Sequence, residues 1–96
     1  LLRDRAVQDE DSEVRGDALR ALARSWANDP DTLALLRDRA VQDEDSEVRG
    51  DALRALSRSR TNDPDTLALL RDRAVQDEGV SKIAQKLLEA IAATSR

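Results

Sequence analysis

Apolar and polar residues alternate on a helical rhythm along this chain. Leu33, Leu36 and Ala40 share one helix face, whereas Leu35 falls well outside it and is assigned to contact with a neighbouring unit. Further on, Val48, Ala52, Ala55 and Leu56 stand at offsets 0, 4, 7 and 8, which makes a second apolar stripe. Each stripe follows a start signal. In Asn28-Asp29-Pro30-Asp31-Thr32, Asp29 can cap, Pro30 suits the first helical position and Asp31 complements the positive helix end. Asp45-Ser46-Glu47 opens the second helix by the same logic. The pattern predicts one helix from about Pro30 to Gln42 and another that ends near Ser59.

The two stripes belong to a repeat. Leu1–Ala34 and Leu35–Ala68 differ only at Ala23/Ser57, Trp26/Arg60 and Ala27/Thr61, and Leu69–Glu78 restarts the same text, so the period is 34 residues. A fixed period of this length marks a helix pair that cannot bury its apolar face alone and stacks on copies of itself. The expected fold is all-α: a right-handed α-solenoid of three helical hairpins. Its units are residues 1–34 with a truncated first helix, residues 35–68, and residues 69–96 with a C-terminal cap helix. The last unit breaks register after Glu78. There Ile83, Leu87, Leu88, Ala90 and Ile91 match Val48, Ala52, Leu53, Ala55 and Leu56 only after a one-residue shift. Ser81 becomes the expected cap of the last helix, and the array is expected to begin upstream of Leu1 and to end after this unit. Near-identical neighbours imply recent duplication or consensus design; the three differences and the irregular last unit favour natural amplification.

Composition sharpens the class. Trp26 is the one aromatic residue, and the chain has no Cys, His or Met, which removes disulfides, thiolate chemistry and imidazole ligands. No apolar run is longer than that of Leu33–Leu36, which is far too short to span a membrane. A net charge of −4 argues against nucleic acid as partner, since its binders concentrate uncompensated Lys and Arg. The chain is expected to be soluble and cytoplasmic.

The run Asp43-Glu44-Asp45-Ser46-Glu47-Val48-Arg49, followed by Ala52 and Ala55-Leu56, resembles the HEAT-repeat signature. That resemblance implies a hydrogen-bonded ladder between repeats, built by an Asp and an Arg six residues apart. Here it falls on Asp9 with Arg15 and on Asp43 with Arg49, and it is expected to stop at the cap because Asp77 finds Ile83 at that spacing. Tetratricopeptide repeats share the period, but their Trp, Leu-Gly and Tyr positions have no counterpart in Leu35–Asp43. The junction Trp26–Pro30 with the following Asp-Thr-Leu and Leu-Leu-Arg-Asp-Arg-Ala is also similar to HEAT-like arrays attached to bacterial signalling NTPases. The resemblance makes this segment a sensor or scaffold arm.

Catalytic and metal chemistry find little support. Asp9, Asp11 and Glu13 imitate the alternate ligands of a calcium loop, but the required Gly and Glu positions hold Val14 and Arg20. No Ser has a His or Cys partner, and Gly16 and Gly50 are isolated within helices, so no phosphate loop exists. Neither an enzyme nor a cofactor protein is expected. Each helix-interior Gly costs about 1 kcal/mol relative to Ala, which points to close packing against a neighbour.

At about 100° per residue, Val14, Ala18, Ala21 and Leu22 fall on the buried side of the second helix. Gly16, Arg20, Ala23 and Ala27 lie opposite them. The equivalent stripe one repeat on is Gly50, Arg54, Ser57 and Thr61. In HEAT-like stacks second helices line the concave surface, so the resemblance makes Arg20, Ala23, Ala27, Arg54, Ser57 and Thr61 the candidate partner-facing ridge. Trp26 is expected to cover the junction between one unit's second helix and the next unit's first. Glu13, Asp17, Arg20 and Arg24 are expected to form a solvated charge network. The leading functional expectation is a scaffold that holds a protein or peptide. The alternative is a spacer that associates end to end through Leu1 and Leu2.

Overall fold

The computed structural model describes residues 2–59 and 63–94. Within them run six α-helices and no strand: α1 (Leu2–Gln8), α2 (Ser12–Ser25), α3 (Pro30–Gln42), α4 (Ser46–Ser59), α5 (Pro64–Gln76) and α6 (Ser81–Thr94). Leu1 and Thr61 lie outside the described residues, as does the side chain of Leu2. Short connections make successive helices antiparallel neighbours, and α1 packs on α2, α3 on α4 and α5 on α6. Between hairpins, α2 packs on α4 and α4 on α6, so the second helices form one continuous layer in a body of 39 × 28 × 16 Å. This is an α-solenoid of helical hairpins.

Local chemistry explains the helix starts. Pro30 and Pro64 stand where a helix leaves its first N–H groups unbonded, so the missing donor costs nothing. The Asp29 carboxylate accepts the Asp31 N–H at 3.1 Å, and Asp11 and Asp45 do the same for Glu13 and Glu47 at 2.9 and 2.8 Å. Ser81 departs from the expected cap. It is the first residue of α6, and its hydroxyl donates to the Ala74 carbonyl at 2.7 Å, which ties α6 back onto α5. The first carbonyl bonded by the helix is that of Val80, which accepts from Ala84 N–H at 2.8 Å.

The core is almost wholly aliphatic, with Leu19, Leu36, Leu53, Leu56 and Leu70 fully enclosed. Helix α4 is the centre. With α3 behind it and α2 and α6 on its flanks, it buries Gly50 and Ser57 as well as Val48, Ala52, Leu53, Ala55 and Leu56. The expectation that Gly50 and Ser57 face outward is therefore corrected: an inner helix with three neighbours has too little free circumference for a full outward stripe. Ser57 satisfies its hydroxyl by donating to the Leu53 carbonyl at 2.9 Å. Gly16 is buried in the same way. Leu35 is half-buried against the core. In α6 the shifted alignment holds for Ile91, whereas Ala90 is exposed and Ala84 is buried instead. Trp26 does not cover a junction. It follows the last turn of α2 and is 56% exposed.

The glycines let the layers touch. A Cβ at Gly16 would stand 2.8 Å from Asp51 Oδ2, and one at Gly50 would stand 2.9 Å from Ile83 Cδ1, so both mark contacts between neighbouring second helices. Gly79 is tighter, since its Cβ would meet Ser46 Cβ at 2.8 Å, Arg49 Nη2 at 2.9 Å and Asp77 Oδ1 at 3.3 Å. These environments predict opposite outcomes. Gly50→Ala only displaces the mobile end of Ile83 and gains up to about 1 kcal/mol of helix propensity, so its Tm stays at or above wild type. Gly79→Ala crowds a neighbouring Cβ and an ion pair together, and overpacking of about 1–3 kcal/mol lowers Tm by several degrees. Thermal unfolding followed by circular dichroism compares the two.

Candidate functional site

Arginines near the starts of α2 and α4 join successive units. Arg15 donates through Nε and Nη2 to the two carboxylate oxygens of Asp43, at 2.9 and 3.0 Å. Its Nη1 bonds the carbonyls of Asp9 and Glu10 at 2.9 and 3.2 Å. One guanidinium thus closes the turn of its own unit and grips the turn of the next, a task suited to its rigid fork of five donors. Arg49 repeats the arrangement, with Asp77 at 2.7 and 3.1 Å and the Asp43 carbonyl at 2.8 Å. Hence Asp9 and Asp43 meet the Arg six residues later through their backbone, while the carboxylates of Asp43 and Asp77 serve the preceding unit. Asp77 is not idle, since it receives Arg49, and the series ends at the cap because Ile83 offers no further guanidinium. Arg37, which donates to Asp63 at 3.3 Å, adds a second link from α3 to the segment before α5.

The acidic turns have a structural use. Asp9 accepts the Asp11 N–H, Asp43 the Asp45 N–H and Asp77 the Gly79 N–H, at 2.9, 2.9 and 3.1 Å. Alternate carboxylates thus satisfy alternate backbone donors, which explains the spacing that imitates a calcium loop. Among the described residues, no group of three or more acidic side chains is placed to hold a metal ion. The Glu47 N–H, and after it the Ser12 hydroxyl, hold the Asp45 carboxyl below its ordinary range. For Asp77, burial works in the opposite direction and is outweighed by the Arg49 hydrogen bond and charge, so its carboxyl is lowered too. The Asp43 hydrogen bond outweighs desolvation at Arg15 and raises its guanidinium.

The candidate ridge comes out smaller and more basic than expected. Arg20 and Arg54 are exposed and Ala23 is half-buried, but Ala27 lies past the end of α2. Where α2 and α4 stack, Arg20, Arg24, Arg54 and Arg58 line a groove of about 130 Å³ together with Ala23 and Asp51. Asp51 accepts from Arg20 Nη1 at 2.8 Å and lies 3.5 Å from Arg54 Nη1, while Asp17 also pairs with Arg20. The Arg20 guanidinium is raised: desolvation opposes the shift, but hydrogen bonds and charges of Asp17 and Asp51 prevail. The expected network of Glu13, Asp17, Arg20 and Arg24 is thus only partly formed. Arg24 and Arg58 take part in no ion pair among the described residues. The pairing of Arg58 with Arg24 across the groove was missed from the sequence, although Arg-x-x-x-Arg in both copies carries the signal.

Two predictions follow from the inter-repeat pairs. Asp43→Ala leaves the Arg15 guanidinium buried without its carboxylate, a loss of about 3–5 kcal/mol, whereas Asp9→Ala removes a turn acceptor worth about 1 kcal/mol. Urea unfolding should rank them in that order. Asp45 and Asp77 titrate lower folded than unfolded, so their stabilisation is complete above the ordinary carboxylate pKa of about 3.9 and is lost as pH falls through the folded values. Unfolding midpoints should therefore drop below about pH 4, and Asp77→Asn should flatten that drop.

A profile of the family described as HEAT repeats matches residues 1–92. No curated protein and no solved structure matches the chain. HEAT repeats generally mediate protein–protein interaction or scaffolding and are typically non-catalytic. No described helix is long and apolar enough to cross a membrane. Six stacked helices, arginine-to-aspartate links from unit to unit and a profile match over nearly the whole length lead to one assignment: the chain belongs to the HEAT-repeat family.

Proposed function

We propose that this chain is a non-catalytic scaffold module that holds a protein partner along the ridge where α2 and α4 stack. The observation that carries this reading is a division of labour among the arginines. Arg15 and Arg49 are committed to joining units, and Arg20 and Arg54 are partly engaged by Asp51, whereas Arg24 and Arg58 line the same open groove with no ion pair among the described residues. A recognition face needs side chains that folding does not consume, held on rigid elements. The resemblance to arrays carried by bacterial signalling NTPases makes a sensor or scaffold arm the natural setting for such a face.

Reversing charge on the ridge separates this reading from that of a passive spacer. The pair Arg20→Glu and Arg54→Glu changes two exposed arginines whose shared partner, Asp51, is half-buried. Surface pairs are worth about 0–1 kcal/mol each, so some stability is lost but the aliphatic core that holds the fold is untouched. A partner captured by the wild-type chain should be lost by the double variant, with helical content unchanged. Equal recovery of that partner would leave the spacer as the better account.

A further inference from the structure

We infer that the groove between the C-terminal halves of α2 and α4 binds an acidic segment of a partner protein, with side-chain carboxylates paired to Arg24 and Arg58. The inference rests on the ridge as partner face and adds the chemistry of what lies there.

Four guanidinium groups and one carboxylate line the groove, a local excess of positive charge in a chain whose net charge is −4. Arg20 and Arg24 stand four residues apart on α2, as do Arg54 and Arg58 on α4. Like charges at this spacing repel by a few tenths of a kcal/mol, so the arrangement works slightly against the helices that bear it. Asp51 offsets two of the four by contact with Arg20 and Arg54. Arg24 and Arg58 keep their donor forks free, and guanidinium binds carboxylate in bidentate fashion.

Charge along the same furrow identifies the class of ligand. Towards the helix starts Arg20 is shared with a stretch lined by Glu13, Asp17, Glu47 and Asp51, so four carboxylates face one guanidinium there and the charge turns from basic to acidic within the length of one helix. A nucleic-acid strand is negative at every step and would run from the arginines onto Glu13 and Glu47. A peptide can confine its carboxylates to the basic end. Four residues of helix rise about 6 Å, close to the roughly 6.6 Å between alternate residues of an extended strand. Acidic residues at every second position of an extended peptide therefore match the Arg pair on each helix, with Arg24 or Arg58 as the free member and Arg20 or Arg54 shared with Asp51.

The test titrates the full chain into a fluorescein-labelled octapeptide of alternating Glu and Ser, followed by anisotropy at low salt. A Lys-Ser octapeptide and a single-stranded octanucleotide serve as controls. The Glu peptide should bind, the Lys peptide should not, and the oligonucleotide should bind more weakly than the Glu peptide. Arg24→Gln with Arg58→Gln should weaken peptide binding about tenfold, the scale of one or two charge-assisted hydrogen bonds. Asp51→Asn, which removes the internal competitor, should tighten it. Tighter binding of the oligonucleotide, no binding of the Glu peptide, an unaffected Arg24/Arg58 variant or weaker binding by Asp51→Asn would each overturn the inference. If the peptide fails while Arg20→Glu with Arg54→Glu still loses a captured partner, the ridge stands and only the acidic class falls.

Discussion

Everything in this fold depends on the guanidinium of one unit reaching the carboxylate of the next. Arg15 is almost fully enclosed and so is Asp43, with side-chain exposures of 6% and 1%. Taking both charges out of water costs several kcal/mol, which attraction in the interior recovers only when the remaining donors and acceptors are also bonded. They are bonded here: Arg15 fills its third donor position with the Asp9 and Glu10 carbonyls, and Asp43 accepts the Asp45 N–H. The pair is therefore better understood as a fixer of register than as a large net source of stability. A hairpin displaced along its neighbour would strand a buried charge, whereas the apolar contacts alone, Leu against Ala and Val, would tolerate some sliding.

That constraint clarifies the glycines. For the guanidinium to reach the next turn, adjacent second helices must lie close, and Gly16 and Gly50 sit on the surfaces where they meet. Helix propensity alone disfavours glycine at both positions. Close approach of the helices requires it more strongly at Gly16, where the opposing atom is a carboxylate oxygen held by Arg20, than at Gly50, where it is the terminal methyl of Ile83. The polar link and the small residue thus act as one device.

Much of this was legible in the sequence. The 34-residue identity, the Asp-Pro-Asp-Thr starts and the aliphatic stripes specify six helices, and the boundaries of α3 fall where Pro30 and Gln42 place them. What a helical wheel could not supply was the number of neighbours. It treats a helix as having one buried side, so it put Gly50 and Ser57 outside, although α4 is packed by α2, α3 and α6. It likewise gave Trp26 a covering role from its angle alone, whereas the helix ends before that residue and releases it towards solvent. The inter-repeat pairing was visible as residue types but not as connectivity. An Asp and an Arg six residues apart implied a ladder between repeats, and only the stack shows which partner each has: the Asp43 carboxylate serves Arg15 of the unit before, and Asp77 serves Arg49.

Repetition places stability and recognition on different parts of the same helix. Arg15 at the start of α2 is withdrawn into the interface, while Arg24, two and a half turns later, is exposed and unpaired. Because the units are near copies, each exposed feature recurs on the next helix, and a single arginine becomes a pair across a groove without any new fold element. The same copying limits the surface, since a carboxylate repeated at Asp17 and Asp51 lies close enough to neutralise what the arginines create. The free charge therefore collects where that compensation runs out, at the C-terminal ends of α2 and α4. There the negative helix ends favour a nearby cation, so Arg24 and Arg58 can stand without an ion-pair partner among the described residues at little cost to the fold.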